Sequence, residues 1–575
     1  MHRRQLINRI RFLSVMVALV GLFLIVRLYY LQILHSDYYA DKADRQYVHT
    51  KSDLYSRGSI YFTTRDGELL SAASVQAGYL LAADPSHVSD ANAFCEGLRN
   101  YLTIEKELCV DRVSPNGRTR TYVELTDKLS NEQAAEIEKL HIDGAMLYRN
   151  QWRYYPGGSV AARSVGFIGF TDDDGSELRG KYGLERSYDE TLFKKREVLS
   201  VNFFAELFSD VGDTVFKKED KKAGNVVTTL EPAVSRLLDT VLQKTNDQYH
   251  SKMTGAIIMD PKTGAIYAMN VVPGFDLNKH DDATVEQFQN PLVENVYEMG
   301  SIIKPLTMAA GIDNGTVNAG TTYFDPGCID LNTYTICNYD HKGRGTVPMQ
   351  EVLNQSLNTG VAFIANKMGK DSFRKYFLNY KLGSETGIDL PNEAYGLVDN
   401  LNSPREVEYA TASFGQGIAL TPVETIRALA ALGNGGKLVT PHLADRIEYD
   451  DGTFKKIQYP EGEQILKPGT SEEISRMLTV VVDKALRHGA VALPNHTIGA
   501  KTGTAQIANP DGGGYYEDRY LHSFFGYFPA YDPKFIIFMY TVEPQGVKYA
   551  SETLTDPFME ITKFLINYYS IPPDR

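Results

Sequence analysis

The sequence predicts a mixed α/β (α+β) chain: a five-stranded antiparallel sheet covered by helices, preceded by an N-terminal pedestal domain and one transmembrane helix. Three observations lead to this fold class. An apolar run fills residues 12–34, the residue pattern changes at about Thr229, and five strand-like runs follow, two soon after that change and three near the C-terminus.

The apolar run Phe12–Leu34 has about 23 residues, enough to cross a bilayer as a helix. Arg27 is its one charged residue, and such a charge either snorkels to the headgroups or pairs with a partner helix. Arginines dominate the preceding segment, so the positive-inside rule predicts a cytoplasmic tail over residues 1–11 and a single pass through the cell (inner) membrane, with the bulk of the chain periplasmic or extracellular. A cleaved signal peptide is the alternative, but no small-residue cleavage site follows the run.

Composition bears on the ligands that the chain can bind. The net charge of −13 and the lack of clustered Lys and Arg argue against nucleic acid as a partner. The sequence has no HExxH or CxxC motif, and its histidines are scattered. We therefore predict neither a metal site nor a cofactor.

The four cysteines form two pairs that are close in sequence, Cys95 with Cys109 and Cys328 with Cys337. On the oxidising side of a membrane each pair can form a local disulfide, and the segment between Cys328 and Cys337 is typical of a short loop or hairpin. The alternative is four buried thiols, and the sequence leaves that choice open.

Two domains follow the membrane segment. Residues 50–228 are polar and loop-rich, carry no recognisable catalytic arrangement and form the predicted pedestal. Residues 229–572 form the predicted catalytic domain, which begins with a helix that has Thr229 as its expected N-cap and Pro232 in its first turn. Its five strands are the segments GAIIMD, AIYAMNV, the run around Lys501, HSFFGYFPA and KFIIFMYTV.

The tripeptide Lys-Thr-Gly occurs twice, at Lys262 and at Lys501. The first copy follows a proline and ends in Gly264, a combination typical of a turn, so Lys262 is predicted at a hairpin tip. The second copy lies within an extended run with no proline before Pro510, which predicts a strand. The second copy is therefore the candidate for chemistry.

A candidate nucleophile lies ahead of an apolar helical run, where Ser301 and Lys304 are three residues apart. On a helix these positions share one face, which brings the Lys amine beside the Ser hydroxyl. Pro305 cannot donate a hydrogen bond in a helix interior, so it confines Ser301 to the first turn, where partial positive charge and free N–H groups favour an oxyanion. The pair can activate a serine without histidine.

A lone Ser-x-x-Lys is weak evidence, since the same pattern at Ser372 is typical of a solvated helix face. The order of the motifs is more specific. A Ser-x-Asn at Ser356 follows Ser301 at a break between two helical stretches, and the Lys-Thr-Gly at Lys501 follows later. Another Ser-x-Asn begins at Ser200, but it precedes the candidate nucleophile and has no partner motif.

Ser-x-x-Lys, Ser-x-Asn and Lys-Thr-Gly in this order are the three motifs of the penicillin-binding, serine-active-site acyltransferases. The resemblance covers most of the chain, since it extends to SRGSIYFTTRDGELLS, YPGGSVAARSVGFIG, KYGLERSYDETL, DPKTGAIYAM and FGQGIALTPVETIRALAALGNGG. The chain thus resembles the class B, monofunctional penicillin-binding proteins, closest to the septal, cell-division type. The resemblance implies the penicillin-binding transpeptidase/serine β-lactamase-like fold, with a dimerisation-like pedestal at 50–228 and a transpeptidase domain at 229–572.

The resemblance also implies a reaction. Ser301 would attack the carbonyl between the two terminal D-alanines of a peptidoglycan stem peptide and form an acyl-enzyme, with Lys304 as general base. The backbone N–H groups of Ser301 and Thr504 would form the oxyanion hole, and Ser356 would relay a proton to the leaving amine. An amine from a second stem peptide would then resolve the acyl-enzyme into a cross-link, and β-lactams would acylate the same serine.

Five further residues are implied to bind substrate. Asn358 would hold the amide of the donor peptide, and Lys501 would place positive charge near the substrate carboxylate. Thr502 and Thr504 would offer hydroxyls to that carboxylate, and Gly503 would leave room for substrate to lie along the strand.

Other functions share some of these features. A class A β-lactamase would need a deacylating Glu, and no E-x-x-x-N lies between Ser356 and Lys501. A D,D-carboxypeptidase shares the three motifs but leaves the pedestal unexplained. A β-lactam sensor would need a signalling portion, for which a tail of about a dozen residues is too short; the related alternative is a catalytically idle scaffold.

The implied partners are the donor and acceptor stem peptides, β-lactams, a polytopic membrane glycosyltransferase and other division proteins. The identity of the acceptor amine and the oligomeric state stay open.

Overall fold

The computed structural model describes residues 57–114, 122–170, 178–193, 223–279, 283–331, 333–510 and 512–575, together with Met16, Leu19 and residues 21–23. Apart from those isolated positions, the predicted membrane segment Phe12–Leu34 lies outside the described residues, and so does Ser200. None of the helices in the described ranges is both long and apolar enough to span a membrane.

The N-terminal part of the chain alternates short strands and helices. Its strands are β1 (Ile60–Thr63), β2 (Leu69–Ala83), β3 (Val123–Leu129), β4 (Ala145–Tyr154), β5 (Ile168–Phe170), β6 (Leu178–Gly180) and β7 (Gly224–Thr228). Its helices are α1 (Ala91–Gly97), α2 (Lys106–Val113), α3 (Asn131–Lys139), α4 (Ala162–Val165), α5 (Gly183–Ser187) and α6 (Asp189–Leu192).

From Pro232 onward, strands are interspersed with helices that range from 4 to 18 residues in length. The helices are α7 (Pro232–Tyr249), α8 (Val285–Phe288), α9 (Pro291–Glu294), α10 (Lys304–Asp313), α11 (Met349–Asn354), α12 (Asn358–Met368), α13 (Lys370–Asn379), α14 (Glu406–Ala412), α15 (Pro422–Ala430), α16 (Pro468–Val480), α17 (Ala550–Thr553) and α18 (Thr555–Tyr568). The strands are β8 (Met253–Met259), β9 (Ile266–Val272), β10 (Thr322–Asp325), β11 (Cys328–Leu331), β12 (Tyr334–Cys337), β13 (Gly345–Pro348), β14 (Lys437–Leu438), β15 (Ala444–Tyr449), β16 (Phe454–Lys456), β17 (Glu463–Gln464), β18 (Gly499–Ala508), β19 (Tyr515–Phe528) and β20 (Phe535–Val542).

The described residues divide into two compact units: the first includes those within 75–153, and the second comprises those within 57–74, 154–195 and 199–575. In the first unit the end of β2 pairs antiparallel with β3. A disulfide between the buried Cys95 and Cys109 joins α1 to α2. One of the two cysteine pairs found in the sequence is therefore oxidised in the core of this unit.

The second unit contains a mixed sheet built around β7. This strand pairs in parallel with β1 and antiparallel with β15, which in turn pairs with β16. Residues from the beginning of the described chain therefore share a sheet with residues after position 440.

The second unit also contains the predicted five-stranded antiparallel sheet. The strand order is β18-β19-β20-β8-β9, and every neighbouring pair is antiparallel. Two strands come from the beginning of this domain and three from its end, as the sequence predicts. The sheet thus brings the strand that carries Lys501 to one edge.

Both faces of this sheet are covered by helices. Side chains alternate along β20, so Ile537 and Met539 enter one hydrophobic core while Ile536 and Phe538 enter the other. Helices α7 and α18 contribute to the first core, and α10 and α15 contribute to the second. Burial on both faces explains why β20 is apolar along nearly its whole length.

The first helix of the catalytic domain begins later than the sequence predicts. Thr229 is not its N-cap, because the Thr229 hydroxyl donates to the carbonyl of Ile266. The helix begins at Pro232, and the carboxylate of Glu231 accepts a hydrogen bond from the N–H of Val234. The Thr229 hydroxyl is therefore bound to a strand carbonyl, and Glu231 is the N-cap of the helix instead.

Candidate active site

Ser301 lies in a short 3-10 turn, Gly300–Ile303, that leads directly into α10. The α-helix begins at Lys304, and Pro305 occupies its first turn. Proline is tolerated there because the first N–H groups of a helix have no intrahelical partner. The sequence predicts Ser301 in the first turn of the helix, whereas the serine lies in the 3-10 turn that immediately precedes the α-helix.

Neighbouring segments hold this turn in place. The N–H of Gly300 donates to the carbonyl of Gly415 at 3.0 Å, and the hydroxyl of Ser523 donates to the carbonyl of Met299 at 2.7 Å. A Cβ at Gly503 would lie 2.3 Å from Ser523 Oγ and 2.8 Å from Met299 O. Gly503 therefore lets β18 approach the back of the turn, a packing requirement that the resemblance did not imply.

The amine of Lys304 is directed at Ser356. Lys304 is fully buried, and its Nζ donates to the carbonyl oxygen of Ser356 at 2.5 Å and to its Oγ at 3.1 Å. Lys304 and Ser301 both lie in the described part of the chain, and the Lys304 amine makes no hydrogen bond to Ser301. Burial, and next the positive charge of Lys501, lower the pKa of Lys304 well below its ordinary value. A neutral amine at this position can accept a proton.

Ser356 occupies the predicted break between two helices, α11 and α12. Its φ of 54° is in the left-handed region, which costs a serine about 1 kcal/mol or more. Its Oγ accepts hydrogen bonds from Lys304 and from Lys501, each at 3.1 Å. One hydroxyl thus connects the lysines of two distant motifs.

Lys501 lies on β18 and is only 3% exposed. Besides Ser356, its Nζ donates to the carbonyl of Thr502 at 3.0 Å. Burial lowers the pKa of Lys501 to about 7. Its charge state therefore changes within the physiological pH range.

The remaining motif residues also have defined partners. Asn358 Nδ2 donates to the carbonyl of Cys337 at 2.8 Å, and Thr504 Oγ1 accepts from the N–H of Ala550 at 3.1 Å. The Cys328–Cys337 disulfide closes the hairpin β11–β12. The disulfide-linked end of this hairpin therefore positions the Asn358 side chain, through the carbonyl of Cys337.

These residues surround a cleft of about 790 Å³. Six of the eight predicted site residues line it: Ser301, Ser356, Asn358, Lys501, Thr502 and Thr504. Lys304 is buried beneath Ser356, and Gly503 packs against the turn of Ser301.

Sequence reasoning missed several residues that line the cleft, among them Tyr339, Gln416, Tyr515, Lys548 and Tyr549. The FGQG segment that carries part of the family resemblance contains Gln416, so a signal existed for that residue. The others lie in segments without a recognisable motif, and tertiary folding brings them to the cleft.

The competing motif copies lie outside the cleft. Lys262 is exposed in the turn between β8 and β9 and pairs with Asp532, and Gly264 has a φ of 85°. This confirms the predicted hairpin tip. Ser372 lies on α13, where Lys375 is exposed.

One group of potential metal ligands occurs among the described residues. The ligand atoms of Cys328, Cys337 and His341 lie within 4.8 Å of one another. The two sulfurs are joined in the disulfide, so neither is a thiolate that could bind a metal.

Comparisons with known proteins agree with this architecture. Residues 254–562 match the penicillin binding protein transpeptidase domain, and residues 54–229 match the penicillin-binding protein dimerisation domain. The chain is 29% identical to stage V sporulation protein D of Bacillus subtilis, over 80% of this chain and 69% of that protein. It is 26% identical to the peptidoglycan D,D-transpeptidase FtsI of Escherichia coli, over 96% of this chain and 90% of that protein.

The fold also occurs among solved structures. Penicillin-binding protein 2X from Streptococcus thermophilus superposes with a TM-score of 0.70 at 23% identity, covering 90% of this chain and 80% of that chain. The transpeptidase domain match spans more than half of the residues. The chain therefore belongs to the family of penicillin-binding proteins with a transpeptidase domain.

Proposed function

We propose that this chain is a serine-type peptidoglycan D,D-transpeptidase that cross-links stem peptides through an acyl-enzyme and is acylated by β-lactams. One observation carries the proposal: in the cleft that Ser301 lines, the Ser356 hydroxyl accepts hydrogen bonds from both Lys304 and Lys501. This arrangement combines a nucleophile, a lysine able to accept a proton and a relay hydroxyl. The name of the E. coli relative supports the substrate class.

Acylation begins when Lys304, neutral because of its burial, accepts the proton of the Ser301 hydroxyl. The serine oxygen attacks the carbonyl carbon between the two terminal D-alanines. The N–H groups of Ser301 and Thr504 are the proposed donors to the developing oxyanion.

Collapse of the tetrahedral intermediate requires a proton on the leaving amine. Ser356 supplies it and regains one from Lys304, to which it is hydrogen-bonded. The peptide bond breaks, the ester to Ser301 remains, and the terminal D-alanine leaves. Lys501 keeps positive charge near Ser356 and, with Thr502 and Thr504, binds the substrate carboxylate.

An amine of a second stem peptide then attacks the ester. A new amide bond forms as the bond to Ser301 breaks, and the amine proton returns to the serine oxygen through Lys304. The enzyme is regenerated, and two stem peptides are joined.

The location of the reaction is part of the proposal. Phe12–Leu34 would anchor the enzyme by a single pass in the cell membrane, with residues 1–11 cytoplasmic and the catalytic domain outside. The resemblance to the septal type supports a role in division beside a polytopic membrane glycosyltransferase. Arg27 is the candidate contact within the membrane.

Ser301 should be the acylated residue. Mass spectrometry of a tryptic digest after penicillin treatment should find the adduct on the peptide that contains Ser301, because that serine lines the cleft together with Ser356 and Lys501. Ser301→Ala should abolish the adduct, and Ser372→Ala should not. An adduct on another serine contradicts the assignment.

Lys501→Ala should lower the rate of acylation by at least about 100-fold, the scale of losing one electrostatic contact in the transition state. Lys262→Ala is the matched control, because it removes the other Lys-Thr-Gly lysine, which is exposed and outside the cleft. It should change stability by no more than about 0.5 kcal/mol and leave acylation unchanged. Equal effects of the two substitutions on the second-order acylation rate constant would contradict the assignment of the catalytic role to the Lys-Thr-Gly motif at Lys501.

The rate of acylation should depend on pH as a bell-shaped curve. Lys304 must be neutral, so activity is gained as pH rises through its lowered pKa. Lys501 must be charged, so activity is lost as pH rises through its pKa of about 7 rather than the ordinary 10.5. Lys501→Arg stays charged over this range and should move the alkaline limb to higher pH. An unchanged alkaline limb in that variant would exclude Lys501 as its source.

Exchange of Phe12–Leu34 for an unrelated membrane helix of similar length and flanking charge should impair division while penicillin labelling of the membranes persists. The reason is that the proposed helix contacts a partner as well as anchoring the chain. Complementation of a depletion strain measures the first property and fluorescent penicillin the second. Full complementation would contradict this prediction and show that the helix only anchors the chain in the membrane.

A further inference from the structure

The cleft carries more positive charge than the proposed reaction uses. Lys501, Arg487 and Lys548 line it, and none of the described lining residues is Asp or Glu, although the whole chain has a net charge of −13. A basic cleft in an acidic protein favours an anionic ligand. The C-terminal carboxylate of the donor peptide accounts for Lys501 alone.

Arg487 and Lys548 differ in whether a protein carboxylate neutralises them. Arg487 donates to both carboxylate oxygens of Asp556, at 2.6 and 3.1 Å. Lys548 is exposed and makes no ion pair with any residue in the described ranges, and its Nζ lies 5.8 Å from the centroid of the Tyr549 ring. The charge of Lys548 is therefore available to a ligand.

The backbone that carries Lys548 is fixed to the catalytic strand. The N–H of Ala550 donates to Thr504 Oγ1 at 3.1 Å, and Nε2 of His522 donates to the carbonyl of Lys548 at 3.0 Å. His522 is fully buried opposite Thr504 in the β18–β19 register. Burial lowers the pKa of His522 to about 4, so the ring is neutral near neutral pH, and the proton on Nε2 makes this hydrogen bond.

Aromatic rings from two walls of the cleft meet beside this lysine. The Tyr339 and Tyr549 rings both line the cleft and contact edge to face, with centroids 5.9 Å apart. Tyr339 follows the hairpin β11–β12, which the Cys328–Cys337 disulfide closes. Lys548 therefore lies where two anchored walls of the cleft approach each other.

We propose that Lys548, flanked by Tyr549 and Tyr339, forms a second anion subsite that binds a carboxylate of the donor or acceptor stem peptide other than the C-terminal carboxylate of the donor. The inference rests on the proposed transpeptidase function and deepens it, because such a subsite selects stem peptides that keep this carboxylate free over those in which it is amidated. Both the donor and the acceptor peptide can supply this group. The experiment separates the two sources.

The donor arm compares benzylpenicillin with carbenicillin, which carries one additional carboxylate on its side chain. Second-order acylation rate constants are measured for the full chain, for Lys548→Gln and for the control Lys563→Gln, which removes an exposed lysine on α18, away from the cleft. If Lys548 binds the donor carboxylate, the carbenicillin-to-benzylpenicillin ratio falls about fivefold in Lys548→Gln alone, the size expected for a partly exposed ion pair.

The acceptor arm uses a D-alanyl thioester donor and measures product formation with D-alanine or D-alaninamide as the amine. If Lys548 binds the acceptor carboxylate, the D-alanine-to-D-alaninamide ratio falls about fivefold in Lys548→Gln and is retained in Lys548→Arg and Lys563→Gln. High salt should reduce the preference for the carboxylate form in the unchanged chain.

A fall in either ratio assigns the subsite and its source. Unchanged ratios in both arms, or an equal fall in Lys563→Gln, overturn the subsite. Failure of the proposed function would show differently, as the absence of any penicillin adduct on Ser301 in the unchanged chain.

Discussion

The active site depends on one hydroxyl that is shared by two buried lysines. The Nζ atoms of Lys304 and Lys501 each lie 3.1 Å from Ser356 Oγ, so they are at most about 6 Å apart. Two charges at that separation repel by about 3 kcal/mol at an effective dielectric constant of about 20, and burial adds a desolvation cost for each. The state in which Lys304 and Lys501 are both protonated is therefore disfavoured. Because Lys304 experiences both full burial and the charge of Lys501, it is the one that gives up its proton.

This arrangement requires distant chain segments to meet within hydrogen-bonding distance of one another. The turn of Ser301, the helix break at Ser356 and the edge strand of Lys501 lie on different elements, and the two hydrophobic cores fix those elements on the five-stranded sheet. Close packing permits this because β18 has a glycine, Gly503, where it meets the turn. A side chain there would clash with the backbone of the turn at Met299, so β18 or the turn would have to shift.

The sequence predicted the parts of the fold and site that local patterns determine. Apolar strand runs bounded by turns located the five strands, and the proline and Gly264 around Lys262 distinguished a hairpin tip from a strand. The order of the three motifs predicts that Ser301, Ser356 and Lys501 share one site, and all three line the same cleft. Local sequence patterns do not predict the contacts that form only in the tertiary structure. The pairing of Thr229 with a strand carbonyl, which displaced it from the helix cap, has no local signal.

The partner of Lys304 is the most informative difference between expectation and structure. Helical spacing places its amine beside Ser301, yet the amine donates to the carbonyl and hydroxyl oxygens of Ser356. Ser356 is held in a left-handed conformation that a serine adopts at a cost of about 1–3 kcal/mol, and such strain persists only when surrounding contacts compensate for it. The hydrogen bond from Lys304 to the Ser356 carbonyl is such a contact. The proposed general base therefore also positions the proposed proton relay, and any motion of Lys304 toward Ser301 during the attack would loosen Ser356 before the later step in which its hydroxyl must donate.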